Sequence, residues 1–145
     1  MDNKNDTDRD QTKREPGEPS LAPSDAFNRA LVRHQRATDA LGAAIVGCDP
    51  RAAAIAASNA CAYWLTARAI LRRLESQEPV DTARVDLARR ALHANHRALL
   101  DLFGRAETQI ASRELHGLLE QLRTSLAFAS SGLSHVGGDR SNRTT

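Results

Sequence analysis

Two histidines, His93 and His96, stand three residues apart in a stretch of helix-forming residues. This spacing places both imidazoles on one side of a helix, where they could begin a metal site. No carboxylate lies beside them at helical spacing, and the Glu-x-x-His pattern of di-iron bundles is absent from the sequence. We therefore interpret both histidines as solvent-facing and predict that the protein holds no metal or other cofactor.

The remaining candidates for chemistry are His34 and the two cysteines, Cys48 and Cys61. His34 falls within a helical seam of apolar residues, which favours a position in the core or at its boundary. The cysteines do not have the spacing of a zinc or redox pair. Because both lie among apolar residues, we expect two buried, reduced thiols.

Two arginine pairs, Arg72-Arg73 and Arg89-Arg90, offer groups that bind phosphate. Glu75 and Asp86 lie three or four positions away, so ion pairs along a solvated helix face account for the arginines. Over the whole chain, 20 basic residues stand against 18 acidic residues, a formal charge of +2. A nucleic-acid-binding domain concentrates basic residues on one surface, so we predict no nucleic-acid partner.

Catalytic motifs are missing from the sequence. It contains neither a glycine-rich phosphate loop nor a Gly-x-Ser-x-Gly elbow. Catalysis also needs titratable groups that converge in a pocket, and thin alanine-rich helices form poor pockets. We expect that the protein is not an enzyme and that it acts by binding another protein.

The elements that must position these residues are helices. Alanine and leucine supply most of the apolar residues, and β-branched residues are sparse, which favours helix over strand. Apolar residues recur at alternating three- and four-residue steps, the spacing of a coiled-coil seam. We predict an all-α fold of long antiparallel helices, either a helix hairpin or a three- to four-helix bundle.

Start and stop patterns place these helices at about residues 24–47, 50–77, 81–107 and 112–132, within a helical domain of residues 24–133. Asp49-Pro50 is a strong helix start, and Pro79 ends the second helix. Residues 1–23 are charged and rich in proline, which predicts a disordered N-terminal tail. Residues 134–145 are polar and contain two adjacent glycines, which predicts a flexible C-terminal tail.

The apolar seam of the third helix, which includes Asn95, changes phase between about Thr108 and Arg113. Either this helix continues through a stutter, so that the last two helices are continuous, or a short break at Ser112 begins a fourth. Beyond this point, the stretch from Leu115 to Leu133 holds the densest large apolar residues in the chain. It can form the core of a fourth helix, or an amphipathic helix whose apolar side docks on a partner.

Several segments resemble the FlgN-type flagellar export chaperones. The turn Gly47-Cys48-Asp49-Pro50 and the alanine-rich residues 51–55 resemble the family's "A-G-D-x-x-A-L" turn. Residues 92–100 are similar to its "L-x-x-x-N-x-x-L-L" helix, and residues 128–132 to its aromatic-x-x-x-Gly ending, with Phe128 in place of Tyr. The resemblance covers about residues 27–132. Residues 33–36, Arg-His-Gln-Arg, depart from the glutamate-rich stretch usual there, and the charged N-terminal segment is extra.

The resemblance implies a cytosolic chaperone that holds hook–filament junction subunits soluble and delivers them to the flagellar type III export gate. It places the partner-binding surface in the C-terminal helical part. The residues that correspond to this surface are Leu115, Leu118, Leu122, Leu126 and Phe128.

The alternative is a coiled-coil structural or regulatory adaptor without an export role, which dimerises through its alanine-rich second helix. A chaperone alone would leave the C-terminal leucines exposed, whereas an adaptor dimer would bury them. The N-terminal residues contain no apolar stretch of a secretory signal, and no apolar run reaches the length of a membrane span. We therefore expect a cytoplasmic protein.

Overall fold

The computed structural model describes residues 23–143, and the side chains of residues 24–131. The described chain forms α1 (Pro23–Val46), α2 (Pro50–Ser76), α3 (Thr82–Gln109) and α4 (Arg113–Arg143), and this range contains no strand. The predicted all-α helical bundle is confirmed, and it has four helices. The predicted disordered tail lies, apart from Pro23, outside the described residues.

The α1–α2 hairpin is the most closely packed part of the bundle. Small side chains allow two helices to approach along their length. The hairpin buries alanines from both helices: Ala30, Ala37 and Ala44 of α1, and Ala53, Ala56, Ala57, Ala60 and Ala67 of α2. α2 contacts all three other helices, whereas α1 and α4 do not touch each other in the described chain.

The turn between α1 and α2 is closed by backbone hydrogen bonds. The Asp49 N–H donates to the Ala44 carbonyl, and the Cys48 N–H to the Ile45 carbonyl, each at 3.0 Å. This pair of bonds is a Schellman motif, in which Cys48 takes the left-handed position with φ of 50°. The Asp49 side chain then accepts the Ala52 N–H at 3.1 Å and caps α2, as the sequence predicted.

The change of phase after α3 corresponds to a break, so the two alternatives are decided in favour of a fourth helix. The backbone of Ile110 is extended, and its side chain is buried. The Ser112 hydroxyl accepts the Leu115 N–H at 3.2 Å and caps α4. The His116 ring donates from Nε2 to the Ile110 carbonyl at 2.8 Å, so the break has its own hydrogen bonds.

α4 extends beyond its expected end. Its backbone is helical to Arg143, so residues 134–143, for which the sequence predicted a flexible tail, belong to the helix. No proline follows Pro79, so no residue sterically ends the helix after Leu133. None of the described helices is both long and apolar enough to cross a membrane.

Candidate partner-binding surface

α4 turns a row of leucines towards the core. Leu115, Leu119 and Leu126 expose 2%, 0% and 0% of their surface. Two of the five residues predicted to bind a partner, Leu115 and Leu126, are therefore core residues of the folded chain. The sequence analysis expected exposed C-terminal leucines in a chaperone and buried ones in a dimer. Leu115 and Leu126 are buried within the single chain, so their burial does not distinguish the two functions.

Of the other three predicted residues, Leu122 packs against the edge of the core, whereas Leu118 and Phe128 lie farther round the helix. Leu118 and Leu122 are half-buried, and the Phe128 side chain is 85% exposed. At 100° per residue, Phe128 lies roughly opposite Leu119, and Leu118 lies about 80° from Phe128 around the helix. The exposed residues Gln121 and Ser125 lie between them. We call Leu118, Gln121, Leu122, Ser125 and Phe128 the α4 outer surface.

An ion pair fixes α4 to α3. The Arg123 guanidinium donates two hydrogen bonds to the Glu107 carboxylate, one of them from Nη2 to Oε1 at 3.0 Å. The guanidinium carbon also lies 5.9 Å from the centre of the Phe103 ring. These hydrogen bonds lower the pKa of Glu107 and raise the pKa of Arg123, so both groups stay charged at neutral pH.

A buried arginine fixes α4 to α2. The Arg68 Nε donates to the Ala129 carbonyl at 3.1 Å, and Ala129 shares a helix face with Leu118 and Leu122. Arg68 is only 6% exposed, and its Nη1 has no hydrogen-bond partner in the part of the chain whose side chains are described. Burial, and then the nearby Arg72, lower its pKa. The ion pair and this bond hold two sides of α4, and the exposed residues Gln121, Ser125 and Phe128 lie outside both contacts.

The sequence interpretation overlooked Arg68, although its spacing from the neighbouring apolar residues indicates a buried position. Arg68 follows Trp64 by four residues and precedes Leu71 by three, so it interrupts an apolar seam. Among the arginine pairs, Arg89 contacts Glu75 of α2 at 2.9 Å and Asp86 at 3.2 Å. The predicted pairing within a helix is therefore present for Asp86, and Glu75 adds a pairing between helices.

The two neighbouring histidines of α3 differ in environment. His93 is exposed, as predicted, but the interpretation of His96 as solvent-facing is wrong. The His96 ring is half-buried, and its centre lies 5.4 Å from the centre of the Trp64 ring. The imidazole packs against the large indole in the interface between α2 and α3. Spacing along α3 alone does not reveal such a contact between helices. Asn95, the polar residue of the seam, accepts a hydrogen bond from Gln35 of α1 at 2.9 Å.

The two free cysteines also differ. Cys61 is buried, and burial raises the pKa of its thiol. Cys48 is exposed, so the prediction of a second buried thiol is wrong. It lies in the α1–α2 turn, whose left-handed backbone places the side chain outside the seam. Within the part of the chain whose side chains are described, no three His, Cys, Asp or Glu side chains are grouped to hold a metal ion.

The α4 outer surface is thus the part of the predicted site that a partner can reach without unfolding the bundle. It combines one exposed aromatic ring with two half-buried leucines on a helix that is fixed from both sides. No family model, curated protein or solved structure matches the chain.

Proposed function

We propose that the protein is a cytoplasmic export chaperone that binds a flagellar or other type III secretion subunit through α4 and carries out no catalysis. The observation that carries this proposal is Phe128, whose aromatic side chain is 85% exposed on the α4 outer surface. Exposed aromatic side chains are typical anchors of protein interfaces. The FlgN-type resemblance of the sequence supports the same end of the chain as the binding region.

The proposed contact set is smaller than the one inferred from the sequence. Leu118, Leu122 and Phe128 contact the partner, whereas Leu115 and Leu126 hold α4 on the bundle. Subunits that assemble through apolar helices need those helices covered before assembly, and an amphipathic helix surface covers them by side-to-side packing. The surface is small, so we expect a partner that leaves again when it is exported.

The homodimeric adaptor remains the alternative function, but the dimer contact that the sequence suggested for it is not accessible. The sequence assigned the dimer contact to the alanines of α2, and the structure buries Ala53, Ala57 and Ala60 within the chain's own bundle. A dimer would therefore have to use another surface.

The test is a pull-down from the source cell with three baits: the native chain, a Leu118→Ser/Phe128→Ser variant, and a Leu87→Ser control. Leu87 is 65% exposed and lies on α3, so its change removes a similar apolar group from a different surface. We expect the native chain and the control to capture a secreted flagellar or type III subunit at 1:1. The double variant should bind that subunit at least tenfold more weakly, since loss of an aromatic anchor costs about 2 kcal/mol.

Circular dichroism and the melting temperature show whether the double variant is folded. If all three baits capture the same subunit equally, the α4 outer surface is not the binding site. If the native chain captures only copies of itself, the adaptor replaces the chaperone.

A further inference from the structure

Trp64 lies at the junction between the α1–α2 hairpin and α3. Its side chain is fully buried, and its Nε1 donates to the Leu92 carbonyl of α3 at 2.9 Å. The His96 ring of α3 lies against the indole, and the two ring planes are tilted by 45°. The position of α3 on the hairpin is therefore linked directly to the environment of this indole.

His34 of α1 lies on the same hairpin with no exposed surface. Its Nδ1 is 2.8 Å from the carbonyl of Ala60, one helical turn before Trp64 on α2. Because a carbonyl only accepts hydrogen bonds, Nδ1 carries the proton, and Nε2 is the unprotonated nitrogen of a neutral ring. This Nε2 is buried and has no hydrogen-bond partner among the described residues.

The Nε2 of His96 is also buried, and no described group forms a hydrogen bond with it. A second proton on His34 would create a buried N–H donor without an acceptor among the described residues, together with a buried charge. On His96 a second proton adds a partly buried charge, and an N–H at its Nε2 lacks an acceptor among the same residues. Both are unfavourable away from water. Burial lowers the pKa of both rings, and His93 lowers that of His96 further.

The groups around the two rings do not offset such a charge. On α2, the Ala60 carbonyl contacts His34, and the next residue, Cys61, carries a neutral thiol. Arg68, one turn beyond Trp64 on the same helix, is itself a cation. On α4, Arg123 is already paired with Glu107 of α3. No carboxylate among the described residues contributes to the pKa of either histidine.

We propose that His34, in the α1–α2 contact, and His96, against Trp64 in the α2–α3 contact, make this core layer proton-sensitive, so that protonation at mildly acidic pH loosens the packing of α1 and α3 on α2. In the loosened chain the imidazoles are exposed and have an ordinary pKa of about 6.5. Between that value and the lower pKa of the packed state, the loosened chain binds more protons, so stability falls as the pH decreases. Below the lower pKa the loss levels off. This inference does not depend on the chaperone function.

The experiment follows Trp64 fluorescence and the melting temperature of the full chain from pH 7.5 to pH 5.0. Trp64 is the only tryptophan, so its emission reports this layer alone. We expect a shift of the emission to longer wavelength and a fall of the melting temperature by about 5 °C. Glu107 does not titrate in this range, because its hydrogen bonds from Arg123 lower its pKa.

Three variants assign the effect. His96→Phe keeps an aromatic ring against Trp64 without a titratable group, and His34→Gln keeps a donor for the Ala60 carbonyl. Combined, they should abolish the pH dependence, whereas His93→Gln, which changes the exposed neighbour on α3, should retain it. An unchanged pH profile in the combined variant overturns the proposal, and so does a flat profile in the native chain.

A measurement on the native chain covers the case in which the variants do not fold. Titration of the imidazole Cε1 protons by NMR should give both His34 and His96 a pKa below 6.5. If both titrate at or above that value, the core layer is not proton-sensitive and the proposal is wrong.

Discussion

Cys48 adopts a backbone conformation that glycine usually takes. Its φ of 50° places it in the left-handed region, where the Cβ of any other residue approaches the backbone. The Schellman bonds of the α1–α2 turn hold it there. Its side chain adds only a long contact of 3.8 Å from Sγ to the Gln109 carbonyl.

Replacing Cys48 with glycine should therefore stabilise the protein. We expect the Cys48→Gly variant to raise the free energy of unfolding by about 1 kcal/mol, because glycine has no Cβ to strain. Urea unfolding measures the change. Cys48→Val is the matched control and should lower it, since a β-branched residue fits this conformation worst. Equal stability of the two variants would show that the turn is not strained.

Single residues were the least predictable part of the site. His93 and His96 are the same residue type three positions apart on α3, yet among the described residues only His96 contacts a ring from another helix. Arg68 and Arg72 both look like members of a solvated face, but Arg68 lies at a seam position and is buried. The environment of His96 depends on the neighbouring helix, so spacing along α3 could not reveal it, whereas the position of Arg68 within an apolar seam was readable from the spacing.

At the scale of helices, more of the structure could be predicted from the sequence. Asp49 and Asp81 cap α2 and α3 because each places a carboxylate where the first free N–H groups point, and both were predictable from residue type. The end of α4 could not be predicted in the same way, because adjacent glycines weaken a helix but do not end it as proline does. The choice between a stutter and a break also depended on the burial of Ile110, which only packing shows.

The close contact between α1 and α2 predicts a sharp intolerance of larger side chains. Ala57 has no exposed surface, so Ala57→Leu should lower the free energy of unfolding by roughly 1–3 kcal/mol through overpacking. Ala62 is exposed on the same helix, and Ala62→Leu should leave stability nearly unchanged. Thermal and urea unfolding compare the two variants. Similar losses in both would mean that the alanine contact is loose.

At the scale of the whole molecule, α2 joins parts that do not touch each other. α1 and α4 both pack on it and make no contact with one another in the described chain. Changes on α1 and α4 should therefore act independently. We expect the stability losses of Ile45→Val on α1 and Arg123→Gln on α4 to add within about 0.5 kcal/mol in the double variant.

The contrasting pair is Arg123→Gln with Glu107→Gln, which removes both partners of one ion pair between α3 and α4. Their losses should not add, because either change alone already breaks the pair. A large coupling between Ile45 and Arg123 in the same double-mutant analysis would show that α2 transmits strain across the bundle.

The central place of α2 also bears on the order in which the chain assembles during synthesis. α2 meets its tightest partner, α1, across a turn of three residues, so this contact closes a short loop. Short loops cost little entropy to close and form early. The ribosome synthesises α1 and α2 before α3 and α4. We therefore expect the α1–α2 hairpin to form first, and the later helices to pack on it.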